Sequence, residues 1–355
     1  MTIRQFLARL ETVFPPWFAL AQDPIGLQIG NDQQPLKKVF TTIDVIPEAV
    51  MRARQMGANL ILSIHAPLFC PPTSVTSHTR SGDIITQVLK NHMAVYVLHT
   101  ILDVIPGGTS DLLAKRLDLQ NCHPLQTTKI VPDCKLVVFV PKSHTEKVRQ
   151  AICTAGAGMI GKYDQCSFRL EGTGTYRPLS EAKPFKGKIG TIEQAEECRL
   201  EVEVPEHQLN AVMQALRQSH PYEEIAYDLY QKVDGGTIYG IGRVGTLKQA
   251  LPWARLLKTI ANRITPVTSV TKPKQNMVRK VAVLAGSGKS YIAAAANHEA
   301  DVFVTGELDH HTRLEARWRG LGIVELGHAE SELIALPFLG QISHRLCYGL
   351  AVNSS

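Results

Sequence analysis

Strand and helix signals alternate over the first third of the chain and again over the last third. Lys38–Asp44 reads as a strand. Glu48–Met56 is helical by period and stops at Gly57, a natural C-cap. Leu60–Ile64 is a short apolar run of the kind buried in a parallel sheet. Ser81–Asn91 is helical, Ala94–Leu98 a strand and Ser110–Leu117 helical again. Towards the other end, Lys280–Leu284, Asp301–Thr305 and Leu321–Leu326 read as strands, with an alanine-rich helix over Tyr291–His298. Such alternation predicts an α/β layer sandwich.

The middle breaks the pattern. Lys135–Pro141 is strand-like, His144–Ala155 helical, and Gly156-Ala157-Gly158 ends it. Over Cys198–Val204 apolar and polar residues alternate, as in a half-exposed strand, and Gln208–Ser219 is helical. A βαβ…βαβ order of this size predicts a ferredoxin-like α+β module. Polar or glycine-containing stretches bound it, Thr127-Thr128-Lys129 on one side and Asp234-Gly235-Gly236 on the other. The expected organisation is therefore an α/β domain in two parts, 1–128 and 237–355, interrupted by an insert over 129–236.

The length, 355 residues, suits two domains, and 44% hydrophobic with 20% charged residues is the composition of a soluble globular chain. A net charge of +6 is too mild to indicate nucleic acid, and no recognition-helix or zinc-finger pattern occurs. Seven scattered cysteines, with no CxxC pair, exclude a zinc ribbon and argue against a disulfide framework. The N-terminus reads as an amphipathic helix broken at Pro15-Pro16, without a signal-peptide core, and no run of 18 apolar residues occurs. The expectation is a cytoplasmic protein with no membrane partner.

Three short motifs carry the chemistry, each directly after a strand. Ser63-Ile64-His65 places a histidine past the end of a buried strand, where α/β sheets bind ligands. In His99-Thr100-Ile101-Leu102-Asp103 the histidine and carboxylate are four apart; they share a face if the segment is helical and can still converge if it is a loop. In Gly327-His328-Ala329-Glu330-Ser331-Glu332, a helix would point His328 and Glu332 the same way and leave Glu330 in solvent. On a single sheet, parallel strands would bring all three motifs to one edge. Three histidines, one aspartate and one glutamate, with no thiolate, suit a mono- or dinuclear site for divalent zinc, iron, manganese, cobalt or nickel.

Two other features resemble sites and are read otherwise. Gly286-Ser287-Gly288-Lys289-Ser290 ends like a phosphate-binding loop, but the pattern needs a glycine where Val283 stands. Cys166 has no activating histidine beside it in sequence and is expected to be a small buried apolar residue.

At these residues the chain resembles the NGG-interacting-factor-three-like family, whose members are called GTP cyclohydrolase I type 2 homologues. The resemblance runs through Asp23-Pro24-Ile25-Gly26-Leu27, His65, His99 to Asp103 with Pro106-Gly107-Gly108, Gly286-Ser287-Gly288, Thr305-Gly306-Glu307 with His311, and Gly327-His328 with Glu332. Gly156-Ala157-Gly158, Gly161 to Phe168 and His220-Pro221-Tyr222-Glu223-Glu224 resemble the PII/CutA-like insert of longer members. The resemblance implies a three-layer α/β metal-binding domain and metal ligands at His65, His99, Asp103, His328 and Glu332. It further implies one or two divalent ions per subunit, and a ring-shaped homohexamer built as a trimer of dimers. His311 and Glu307 are expected to contact substrate. Bacterial members usually have a second histidine where Ile64 stands and an asparagine where Ile101 stands, and here Asp23 is followed by Pro24. These changes make the pocket more apolar. The expectations for function are a metal-dependent hydrolase of a nucleotide or related heterocycle, or a non-enzymatic metal-binding regulatory scaffold or ring-shaped interaction protein, with a DNA-binding ring as a lesser third.

Overall fold

The computed structural model describes residues 1–348; the last seven residues of the segment expected to run to 355 lie outside them. The chain divides into two compact units, residues 1–128 together with the part from Tyr239 onward, and Lys129–Ile238.

The first unit opens with α1 (Ile3–Val13), whose start is fixed by a reciprocal cap. Thr2 Oγ1 accepts from the Gln5 amide, and Gln5 Oε1 accepts from the Thr2 amide. It ends before Pro15-Pro16. There follow β1 (Gly26–Ile29), β2 (Val39–Thr42), α2 (Pro47–Gln55), β3 (Leu60–Ser63), α3 (Arg80–Lys90), β4 (Ala94–Val97), α4 (Ile101–Val104) and α5 (Thr109–Arg116). Strands β2, β3 and β4 are parallel, with β1 antiparallel at the β4 edge. Val50, Ala53, Ile84 and Val88 of the two helices cover one face of this sheet, against Ile61, Val95 and Val97. β3 and β4 are buried along their whole length, which is why they read as unbroken apolar runs.

β5 (Gln120–Val131) then carries the chain to the second unit, which contains β6 (Cys134–Pro141), α6 (Thr145–Thr154), β7 (Ser167–Tyr176), β8 (Glu193–Val204), α7 (Leu209–Ser219) and β9 (Tyr227–Gln231). Its sheet runs β7-β8-β6-β9, every neighbouring pair antiparallel. Val148, Ile152, Val212 and Leu216 of α6 and α7 pack on Leu136, Val138, Leu200 and Val202 of the central strands.

The chain returns through β10 (Thr237–Pro252), then α8 (Trp253–Arg263), β11 (Ser269–Thr271), β12 (Met277–Ser287), α9 (Ile292–Asn297), β13 (Val302–Glu307), α10 (His310–Trp318), β14 (Gly322–Glu325), α11 (His328–Glu332) and α12 (Ala335–Tyr348). These strands form the second sheet of the first unit, ordered β11-β14-β13-β12-β10-β5, with β12, β13 and β14 parallel. Leu113 of α5, Leu117 just after it, and Leu256 and Ile260 of α8 bury its apolar residues.

Three sequence expectations are corrected. Thr127-Thr128-Lys129, the polar stretch that bounds the insert and showed no strand signal, lies inside β5, whose exposed polar residues hid the strand. The metal motifs lie on two sheets and not on one, since β3 and β4 belong to the first and β14 to the second. Cys166 is half-buried, not buried, and all seven cysteines are free thiols. Among the described residues no helix is long and apolar enough to cross a membrane.

Candidate metal centre

The C-terminal ends of the parallel strands converge. His65 follows β3, held by its amide donating to the Ile43 carbonyl at 2.8 Å. His99 follows β4 with φ of +40°, a left-handed conformation that costs a non-glycine residue about 1 kcal/mol. Asp23 secures it there. One carboxylate oxygen binds His99 Nδ1, and the other accepts from the Thr100 hydroxyl and, at 3.2 Å, the Thr100 amide. His328 and Glu332 occupy one face of α11. Ser331 ties that turn down, accepting from the Gly286 amide at 2.9 Å and donating to the His328 carbonyl at 2.7 Å.

His65, His328 and Glu332 each bring a ligand atom within 4.8 Å of the others. His65 Nε2 lies 3.0 Å from one Glu332 oxygen, and His328 Nε2 lies 3.6 Å from the other. Separations of about 3–3.5 Å are those between two ligands of one cation with bonds near 2.0–2.2 Å. Glu332 is 7% exposed, and its Oε2 is buried without a directed hydrogen bond despite the near approach of His65. With His65 Nε2 beside it, this buried oxygen is compensated either by a protonated His65 or by a cation in its place.

The other ring nitrogens are all engaged. His65 Nδ1 binds Asp44 at 3.0 Å, His328 Nδ1 binds Glu307 at 2.9 Å, and His99 Nδ1 binds Asp23. A carboxylate at Nδ1 holds the proton there and leaves the Nε2 lone pair for a metal. Without a cation, the Glu332 carboxylate at Nε2, and Asp44 behind the ring, raise His65 to about 9 against the opposing effect of burial. Burial raises the Asp103 carboxyl well above the usual range, with Glu332 and Asp23 adding like charge. Burial also raises Asp23, but the hydrogen bonds from His99 and Thr100 outweigh it and keep that carboxyl low. Crowded carboxylates are what a divalent cation would relieve, and two imidazoles with a carboxylate match the ligand preferences of zinc, iron, manganese, cobalt and nickel.

His99 and Asp103 are not in the tight trio. They line, with His328 and Glu332, a cavity of about 170 Å³ beside it. The His99 ring centroid is 6.0 Å from that of His65. Ile64 forms part of the cavity wall, and Ile101 is fully buried. Glu307 supports His328, and His311 is exposed on α10. Sequence reasoning did not assign Asp44 or Glu307 to the histidines; a carboxylate near a histidine in space carries no spacing signal when the two lie on different segments. Gly286, from the apparent phosphate loop, has φ of +64°, and a Cβ there would sit 2.8 Å from Glu332 Oε1. Lys289 of the same loop pairs with Asp309 at 2.7 Å.

The sequence model of Duf34/NIF3 (NGG1p interacting factor 3) matches residues 1–351. The chain belongs to the Duf34/NIF3 family. Among its Duf34/NIF3 relatives, the GTP cyclohydrolase 1 type 2 homolog of Bacillus subtilis (strain 168) is 39% identical over 332 residues, covering 93% of this chain and 89% of the relative. The protein of the same name from Halalkalibacterium halodurans is 40% identical over 315 residues, covering 88% and 85%. In structure, the Bacillus cereus protein related to NIF3 superposes with a TM-score of 0.82 at 36% identity, covering 99% of this chain and 95% of that one.

Proposed function

We propose that this Duf34/NIF3 chain is a divalent-metal protein whose first ion is held by His65, His328 and Glu332. A second position would be completed by His99 and Asp103. The observation that carries the reading is the carboxylate behind each of the three histidines, Asp44, Asp23 and Glu307, which occupies every Nδ1 and leaves Nε2 as the nitrogen to ligate. A bound cation would supply Lewis-acid chemistry for hydrolysis of a heterocycle. The chain's own part is to hold that ion, to orient the rings and to line the cavity beside it. Ile64, an apolar residue in the cavity wall, favours a second reading, a metal-binding scaffold without turnover.

The antiparallel order β7-β8-β6-β9 with two crossing helices supports a ferredoxin-like, PII/CutA-like reading of the insert, and the layered sheets of the first unit a three-layer metal-binding domain. The seven free thiols fit a reducing cytoplasm. A homohexamer, a trimer of dimers, is the assembly proposed from the family.

The test is metal content per chain on protein purified without chelator or nickel resin, compared with Glu332→Gln and Asp103→Ala. One or two equivalents are expected in wild type. Glu332→Gln should lose the ion without loss of fold, and Asp103→Ala only the second equivalent if two are present. Wild type that stays metal-free after reloading sinks the proposal.

A further inference from the structure

We infer that the cavity beside the metal centre admits an uncharged heterocycle about one ring in size and rejects a nucleotide. The inference rests on the metal-binding reading above and narrows its substrate class. Three observations carry it.

The first is size. The cavity measures about 170 Å³. A cavity of roughly 150 Å³ holds one benzene, whereas sites for drug-sized ligands occupy about 300–1,000 Å³. A base joined to ribose and phosphate belongs to the larger class.

The second is charge. No lysine or arginine lines the cavity. With the first ion alone bound, the two carboxylates of the wall, Asp103 and Glu332, balance its charge. The basic residues closest along the chain to its walls are already engaged. Arg243 grips Asp111 through two nitrogens and the carbonyls of Gly240, Gly242 and Val104. Lys289 pairs with Asp309. A phosphate entering here would have only the bound ion to receive it, beside two carboxylates and with no cationic side chain in the wall, which disfavours it against an uncharged ring.

The third is the pattern of polar and apolar wall. Leu20, Ile64, Leu102, Ile241 and Leu284 supply an apolar surface for a ring face. The hydroxyls of Thr109, Ser287 and Tyr291 also line the cavity, and none makes a hydrogen bond within the described residues. Apolar walls with a few unpaired hydroxyls suit a neutral ring bearing amide-like donors and acceptors on its edge. Such a ring would use those groups, while one without polar edges would leave them unpaired.

Uracil and uridine monophosphate make a matched pair of probes, one ring with and without sugar and phosphate. Calorimetric titration into the metal-loaded full chain, its metal content measured beforehand and afterwards, should show uracil binding once per chain. Uridine monophosphate should bind at least tenfold more weakly. Tyr291→Phe should weaken uracil about fivefold with metal content and melting temperature unchanged, and Lys289→Ala should leave both ligands unaffected. Monophosphate binding as tight as uracil, or no uracil binding by protein that retains its metal, overturns the inference and leaves the metal centre standing. Protein that holds no metal removes both.

Discussion

Gly286 shows how little room the centre leaves. Its left-handed backbone and the proximity of Glu332 Oε1 and His328 Nε2 mean that a methyl group would press on the two ligands contributed by α11. Gly286→Ala is expected to weaken metal binding at least tenfold, read by competition with a chromogenic chelator, and to lower stability by about 1 kcal/mol through strain at positive φ. The proposed ligands were legible as candidates because histidines and carboxylates recur directly after apolar runs, and strand ends are where α/β sheets bind. Asp44 was read only as the end of a strand. Its place behind His65 depends on the turn the chain makes after β2, which no spacing rule describes.

Glu325 ends β14 and closes the turn into α10. It is 3% exposed and accepts from Arg313 at 2.6 and 2.8 Å and from the Leu308 amide at 2.9 Å. Burial alone would raise this carboxyl, but these donors outweigh it and lower it from 4.5. A group depressed in the folded state stabilises fully above its unfolded value and loses that contribution as pH falls through the folded value. The gap in urea midpoint between wild type and Glu325→Gln should therefore be constant from pH 7 to about 5 and shrink below about 4.5; a gap that widens in acid would contradict the assignment.

Arg243 does a comparable task between β10 and the α4–α5 turn. Its partner Asp111 also accepts from the Gly107 amide at 2.7 Å, and Ser110 donates to the Asp103 carbonyl at 3.3 Å, so the pair fixes the segment bearing Asp103. Arg243→Ala leaves Asp111 without its guanidinium and should cost about 3–5 kcal/mol by chemical denaturation. This pair was invisible in sequence, since an arginine and an aspartate so far apart along the chain give no pattern. β5 was missed for a different reason. Apart from Leu125 its residues are largely exposed, so the hydrophobic alternation that marks a strand is absent.

All five proposed ligands belong to the first unit, and β5 and β10, which lead to and from the insert, are neighbours in its second sheet. Gly236 passes so close to Val131 that a Cβ would lie 2.6 Å from its carbonyl oxygen. The two chain ends therefore meet at hairpin distance. Replacing residues 132–236 by a short Asn-Gly turn should leave the metal equivalents per chain unchanged, which elemental analysis of the shortened protein would check. Loss of metal in a shortened protein that keeps its secondary structure would mean that the insert acts on the centre.

The trio joins His65 to His328 and Glu332, which lie far along the chain from it. A nascent chain cannot complete the centre until Glu332 has left the ribosome, and one terminated before that residue never can. Ion capture would then double as a check on synthesis through Glu332: only a chain that reaches it could gain the extra stability that a bound cation confers.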